Sequence, residues 1–339
     1  MRIGVMTAGG DCPGMNAAIR GVVARSTAGG ATVVGFEDGW EGLMRGRYRP
    51  LDRNDVRGIL VRGGTILGTS RVDPYVHGDG YESIRETVER VGIDRLVVIG
   101  GDGTLRTAVR IDDDGLGVIG VPKTIDNDIG GTDVSFGFNT AVQIVTDAID
   151  RLTTTAEAHN RVMVVEVMGR TTGWIATYAG MAGGAEAILV PESEYDIQDL
   201  AARLRRRHQS GHTYSIVVVA EGVPAPEGGS RISGVDAFGF DRLGGIGETI
   251  AARLETLTGF EARTMALGHL QRGGTPTAFD RILATRLGVG AAEMALEGRS
   301  GIMMAVSGDE IVPVDLRRAC ADVRGLDVSR HREAAWFFA

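Results

Sequence analysis

Short apolar, β-branched runs alternate along the chain with amphipathic stretches. Ile3–Met6, Thr32–Phe36, Leu96–Ile99, Val118–Val121, Val162–Val167, Ile188–Val190, Ser215–Ala220, Thr264–Leu267 and Ile302–Val306 predict strands. They lack the strict polar–apolar alternation of half-exposed strands. Burial on both faces is therefore expected, as in parallel sheets. The clearest helical stretch is Phe138–Leu152, where Ala141, Ile144, Val145, Ala148, Ile149 and Leu152 share one face. Strand and helix alternate throughout, which predicts an α/β fold of two doubly wound, Rossmann-like units with mostly parallel sheets. Gly130–Gly131 and the segment after Ala220 are the expected junctions. Pro224–Gly245, rich in Gly, Pro and Ser, reads as an exposed loop.

Composition narrows the class. At 339 residues the chain exceeds one average domain. Glycine is the outlier at 51 residues, and many of them sit at the ends of apolar runs. Tight turns and close backbone approach to a ligand need them there. The formal net charge is −8 with no long basic tract, so neither nucleic acid nor a membrane surface is an expected partner. Arg203, Arg205, Arg206 and Arg207 read as the solvated face of a helix. Cys12 and Cys320, the only cysteines, show no metal-ligand spacing and suggest no disulfide framework. The strand-like run from Ile3 leaves no room for a signal peptide, and no apolar stretch reaches membrane-spanning length. A cytoplasmic enzyme is expected. Lys123 is the only lysine in the chain. A compact point charge suits a tight phosphate site that a planar guanidinium does not fit.

Three strand-end motifs carry candidate chemistry. Ile3 to Asn16 (IGVMTAGGDCPGMN) reads as strand, glycine turn and helix start, presenting backbone N–H groups to an anion. It is neither a Walker P-loop nor a GxGxxG fingerprint. Val98 to Thr104 (VIGGDGT) repeats the logic with a carboxylate. Gly100, Gly101 and Gly103 let backbone approach phosphate oxygens, and Asp102 is placed to hold Mg²⁺. Val121 to Asp128 (VPKTIDND) adds Asp126 and Asp128 two residues apart, on one side of an extended backbone. One carboxylate would accept a hydroxyl proton while the other helps hold the metal. Arg161, Met168–Arg170, Glu221, Arg263 and Gly268–Gly274 form a scattered basic set at strand ends, suited to a phosphate monoester.

In order, AGGDCPGMNAAIRG, GGTILGTSR, GGDGT, PKTIDND, EVMGR, AEG and GHLQRGG resemble the 6-phosphofructokinase family. The resemblance runs from Ile3 to about Arg281 by motif. It implies a larger phosphate-donor domain over 1–137 plus 271–321 and a smaller fructose 6-phosphate domain over 138–270 plus 322–339, with the active site in the cleft between them. It implies donor contacts at Gly10, Arg71, Gly101, Asp102, Gly103, Thr104 and Lys123, and Mg²⁺ at Asp102 and Asp128. Asp126 would be the general base toward the sugar 1-hydroxyl, with Thr124 beside it, and Arg170 would stabilise the transferring phosphoryl group. Met168, Gly169 and Glu221 would contact the sugar, and Arg161, Arg263, His269 and Arg272 its 6-phosphate. In this family the residues matching Arg161 and Arg263 come from a neighbouring subunit, which implies a homo-oligomer, usually a tetramer.

Donor identity is a mixed signal. Glycine at Gly103 is typical of ATP users, because aspartate there would crowd and repel an α-phosphate. Lysine at Lys123 is typical of pyrophosphate users. An open Gly103 is a precondition for ATP, whereas lysine can serve either donor, so the sequence favours ATP over pyrophosphate. A silent sugar-phosphate-binding subunit would need the carboxylates lost, yet Asp102, Asp126 and Asp128 are all present. A dehydrogenase would need the missing GxGxxG. Arg20 and Arg53 fit the family's effector pocket, while Ala24 and Thr153 replace its arginines and the region around His212 lacks its lysines. Weak or altered effector control is expected.

Overall fold

The structure is a computed structural model that describes residues 1–76, 78–226, 243–336 and 338. Most of the expected loop Pro224–Gly245, residues 227–242, thus lies outside the described residues. The described strands are β1 (Arg2–Ala8), β2 (Thr32–Phe36), β3 (Tyr48–Leu51), β4 (Arg95–Gly100), β5 (Val118–Thr124), β6 (Phe136–Gly137), β7 (Val162–Val167), β8 (Ala187–Leu189), β9 (Ser215–Ala220), β10 (Ala262–Ala266), β11 (Ile302–Ser307) and β12 (Glu310–Asp315). The chain forms two compact units: Met1–Thr140 with Arg272–Arg324, and Ala141–Gln271 with Gly325–Ala339.

The first unit holds a sheet in the order β12-β11-β5-β4-β1-β2-β3, with β6 beside β5. Its inner strands are parallel, and Ile3, Val5, Met6, Leu96, Val97, Val98, Val118 and Ile119 are all fully buried. Consecutive buried residues on one strand require cover on both faces, which the unbroken apolar runs predict. The chain steps from β1 to β2 on one side, and β4 then pairs with β1 on the other. Such a reversal opens a crevice beyond the carboxyl ends of the two strands, where ligands of open α/β sheets bind. The second unit is a four-stranded parallel sheet ordered β10-β7-β9-β8.

All nine expected strands are present, and β3, β6 and β12 were not anticipated. β3 and β12 are the two edges of the larger sheet and run antiparallel to their neighbours. Each carries a proline, Pro50 and Pro313, and most of their residues are exposed or half-buried. Proline is tolerated on an edge strand but reads as a strand breaker in a sequence.

The helix expected at Phe138 begins there and continues to His159, with Ala141, Val145 and Ile149 buried at four-residue spacing. The expected junctions are corrected. Ile129 bridges Val323, and a β-carbon on Gly130 would lie 2.7 Å from the Ala319 carbonyl oxygen, so Gly130–Gly131 is packed within the first unit. Ala220 ends β9 inside the second unit. Among the described residues no helix is long and apolar enough to cross a membrane.

Candidate active site

In the first unit β1, β4 and β5 lie side by side, with Ala8 opposite Gly100 and Gly100 opposite Pro122. The turns that follow them therefore emerge together. Gly9 has φ 83°, its N–H donates to the Ser70 carbonyl at 2.9 Å, and its own carbonyl accepts from Thr69 Oγ1 at 2.6 Å. The segment leading into Arg71 is thereby tied to the first glycine motif. A β-carbon on Gly9 would lie 3.0 Å from Thr104 Oγ1 and 3.5 Å from Lys123 Nζ. One on Gly10 would lie 2.8 Å from Arg272 Nη1 and 3.5 Å from Arg71 Nη2. Gly10, Arg71, Thr104, Lys123 and Arg272 thus converge on one turn, Gly9–Asp11.

Lys123 is 2% exposed, and its ammonium donates to the Gly10 carbonyl. Burial pushes its pKa down to about 8, and the Arg272 and Arg71 charges push the same way. Keeping it protonated at neutral pH costs about 3 kcal/mol. The Asp11 carboxylate acts the other way, and a bound anion would offset the remaining cost. Cys12, also near Lys123, is driven up to about 12 by burial and stays a thiol.

The helix Asp102–Asp113 opens directly after Gly101, so its first-turn N–H groups and positive dipole end lie at the strand ends. Asp102 sits in that turn with Gly103 and Thr104, and its carboxylate accepts from Arg106 Nε at 2.8 Å. The first motif follows the expected order of strand, glycine turn and helix start: β1 ends at Ala8 and the helix begins at Met15, beyond Gly14 at φ 109°, so the Gly9–Asp11 turn itself presents backbone and neighbouring side chains.

The turn after β5 is not a solvated Asp/Asn turn. Asp126, Asn127 and Asp128 are 7%, 3% and 3% exposed. Thr124 Oγ1 accepts from Asp126 N at 3.0 Å, while Ser135 donates Oγ to Thr124 O and N to Asn127 Oδ1 at 2.9 and 3.0 Å. Arg324 N donates to Asp128 O at 2.8 Å. Asn127 has φ 55°, so the backbone between the two aspartates is not extended. The alternation argument for their facing one side does not apply, and the turn itself sets their directions. Asp102 and Asp128 are oxygen-only donors of the kind a hard divalent cation takes when phosphate oxygens and waters complete its shell. Among the described residues no three His, Cys, Asp or Glu side chains are grouped to hold a metal by themselves.

In the second unit, Met168–Arg170 turn out of β7 and Glu221 follows β9, its parallel neighbour. Glu221 Oε1 accepts from Gly169 N at 3.3 Å and Arg170 N at 2.9 Å, and Gln271 Oε1 accepts from Met168 N at 3.2 Å. A β-carbon on Gly169, at φ 151°, would lie 2.4 Å from the Thr172 carbonyl oxygen. Arg170 itself has φ 57°, an uncommon conformation for a residue with a β-carbon. Glu221 therefore shapes the Met168–Arg170 turn in addition to any ligand contact.

The basic set splits. Arg161 precedes β7 and Arg263 lies near the start of β10, opposite Met163, while His269 lies past the far end of β10 and is exposed. Six residues of strand separate Arg161 from Met168, about 20 Å at the usual rise. Arg161 Nε pairs with Glu261 Oε2 at 2.6 Å, and Arg263 pairs with the same carboxylate. These partners hold the Glu261 carboxyl below the usual range. Within one chain Arg161 and Arg263 do not join Met168–Arg170 and His269. Sequence reasoning also missed Arg106, which the four-residue helical spacing from Asp102 could have signalled. It missed Ser135 and Arg324, whose long-range partners leave no signal.

A family model described as Phosphofructokinase matches residues 2–295. The chain is 52% identical over 342 residues to a pyrophosphate–fructose 6-phosphate 1-phosphotransferase of Amycolatopsis mediterranei (strain S699), covering 100% of both. It is 51% identical over 337 residues to ATP-dependent 6-phosphofructokinase 3 of Streptomyces coelicolor, covering 98% of this chain and 99% of that one. The solved phosphofructokinase of Saccharomyces cerevisiae superposes with a TM-score of 0.82 at 34% identity, over 94% of this chain. This chain spans 45% of that yeast chain. A match over most of the length, and relatives at half identity from end to end, agree with the motif order and the strand-end turns: the chain belongs to the phosphofructokinase family.

Proposed function

We propose that the chain transfers the γ-phosphoryl group of ATP to the 1-hydroxyl of fructose 6-phosphate, giving fructose 1,6-bisphosphate. The observation that carries this reading is the convergence of Lys123, Thr104, Arg71 and the Gly9–Asp11 turn at the ends of β1, β4 and β5, an anion site built on backbone and cations. The first unit is the donor unit, with Gly10, Arg71, Gly101, Asp102, Gly103, Thr104 and Lys123 on the donor. The second is the acceptor unit, with Met168, Gly169 and Glu221 on the sugar and His269 on its phosphate. Arg161 and Arg263 serve a neighbouring copy in a homotetramer, in keeping with their place at the opposite strand ends. A cytoplasmic setting suits this substrate pair.

Phosphoryl transfer leaves the protein little covalent work, so positioning and charge neutralisation dominate. Asp126 takes the proton of the 1-hydroxyl as its oxygen attacks the γ-phosphorus, and the bond from that phosphorus to the β,γ-bridging oxygen breaks, with ADP as the leaving group. The turn that holds Asp126 is pinned by Thr124 and Ser135, which limits its motion during proton transfer. Arg170 neutralises the transferring oxygens, and its turn is held by Glu221. Mg²⁺, at Asp102 and Asp128, would supply further charge neutralisation when bound.

Gly103 supports ATP because it adds no side chain to the first helical turn beside the donor site. Lys123 is engaged with the Gly10 carbonyl beneath that turn, a strut that either donor can use. Pyrophosphate is the second reading, favoured by the lysine itself and by the name of the Amycolatopsis relative. Initial rates of fructose 1,6-bisphosphate formation, with Mg²⁺ and saturating ATP or pyrophosphate, test the reading. Turnover with pyrophosphate alone overturns the ATP assignment, and turnover with neither overturns the reaction.

A further inference from the structure

Asp280 has no part in the chemistry above, and its side chain is fully buried. Burial pushes its pKa up, against hydrogen bonds from Thr140 and the Gly137 backbone. A carboxylate in such a place is costly unless specific donors meet it. Its own helix, Ala278–Leu296, does not need it as a cap, because Thr277 Oγ1 already accepts from Asp280 N at 3.3 Å. Asp280 Oδ2 instead accepts from Thr140 N at 2.8 Å and Thr140 Oγ1 at 2.6 Å, across 140 residues of chain. Thr140 lies in the first turn of the helix Phe138–His159, where backbone N–H groups have no partner within the helix. Thr277 N donates to Thr140 Oγ1 at 3.1 Å, and Thr277 Oγ1 donates to Asn139 Oδ1 at 2.8 Å. Two helix starts are thus locked together, all within the first unit.

The helix start held in this way continues β6 directly. In that strand Phe136 lies opposite Lys123 and Gly137 opposite Thr124. A β-carbon on Gly137, at φ 98°, would lie 2.6 Å from Cys12 Sγ and 3.4 Å from Ile125 Cγ2. β6 is therefore wedged between the first glycine motif and the turn after β5. Ser135, just before it, donates to Thr124 O and Asn127 Oδ1. Residues 135–140 form a brace that bears on Lys123, Thr124 and Asn127 at one end and is anchored by Asp280 at the other. We propose that Asp280 is a positioning residue, which through Thr140 and β6 sets the place of Lys123 and of the turn carrying Asp126. The proposal rests on the reading of Lys123 as a donor contact and Asp126 as the base given above.

Steady-state kinetics of the full chain carrying Asp280→Asn, with whichever donor the wild type uses, test it. The amide keeps the shape of the side chain but turns one acceptor oxygen into a donor. The kcat is expected to fall about tenfold or more and the donor KM to rise severalfold, because small misplacements of reacting groups are costly. The fructose 6-phosphate KM is expected to stay within a fewfold of the wild type. In a Lys123→Met background the rise in donor KM should shrink, since that effect runs through the lysine. A residue that only supports the fold would lower the yield of active enzyme, and so kcat alone, with both KM values unchanged. That result would overturn the proposal, as would a rise confined to the fructose 6-phosphate KM. Thr140→Val, which removes only the hydroxyl, gives a second approach should Asp280→Asn fold poorly. It is expected to show the same split to a smaller degree, and unchanged kinetics would count against the brace. A wild type inactive with both ATP and pyrophosphate would instead overturn the reading of the site on which the proposal rests.

Discussion

The two units hold their cations in opposite ways. At the β1–β4–β5 ends, Lys123 is almost wholly buried and Arg272 lies over a glycine turn, neither with a carboxylate partner among the described residues. At the start of β7 and β10, Arg161 and Arg263 are 27% and 54% exposed and share the Glu261 carboxylate. An exposed shared ion pair contributes little to stability and opens readily. A buried cation without a counter-ion is held at a cost the fold must offset. The difference points to two kinds of site. On the proposed function, the first would be completed by a ligand that arrives at this chain, and the second, only partly neutralised by one carboxylate, would be taken up by another subunit.

The largest effect should come from the pinned turn of the first unit. Asp126→Ala is expected to lower kcat by about 10²–10⁴-fold, the usual weight of a general base. Fructose 6-phosphate binding should remain measurable by calorimetry. Near-normal turnover would show that this rigid turn serves architecture alone.

Removing the buried charge should act on the donor and leave the sugar alone. Lys123→Met is expected to raise the donor KM about 10- to 100-fold, in line with a charged hydrogen bond, with the fructose 6-phosphate KM within a fewfold of the wild type. The variant should also gain thermal stability in the absence of ligand, because an uncompensated buried ammonium is gone. A shift confined to the sugar KM would erase the contrast between the two units.

The exposed pair gives the third test. Arg161→Ala is expected to raise the fructose 6-phosphate KM roughly tenfold with the donor KM unchanged. Refolding it together with Asp126→Ala should recover activity in mixed oligomers, since each intact site would draw Asp126 from one chain and Arg161 from another. No recovery in mixtures whose subunits demonstrably exchange would place the arginine in its own chain's site, against the strand geometry.

How far all this was legible in the sequence depends on the range of the interaction. Doubly buried parallel strands announce themselves as unbroken apolar runs, so β1, β4, β5, β7 and β9 were readable. Edge strands hide, because Pro50 and Pro313 are allowed only where one side of the strand is unpaired. Strand-end turns could be found as motifs, yet their partners could not. Nothing local shows that Asn127 would take φ 55° and turn Asp128 away from the simple alternation. Nor does anything local show that Glu221 would hold Arg170 N, or that Arg272 would leave its neighbours for Asp11. Each of those outcomes is a choice between partners far apart in the chain.

The smallest effect is the most specific to the buried lysine. Burial lowers the Lys123 pKa to about 8, so its charge is complete below that pH and is lost as pH rises through it. On the proposed donor role of Lys123, binding would use that charge, so kcat/KM for the donor should hold steady well below pH 8 and fall above it. Near pH 9 the charged fraction is about one-tenth, giving roughly a tenfold loss as an upper bound. On the proposed assignment of its phosphate to arginine and the exposed His269, the profile for fructose 6-phosphate should lack this limb. Lys123→Met should flatten the donor profile near pH 8 while leaving any acidic limb in place. If the limb persists in that variant, some other group sets it, and the uncompensated buried charge is not what the donor senses.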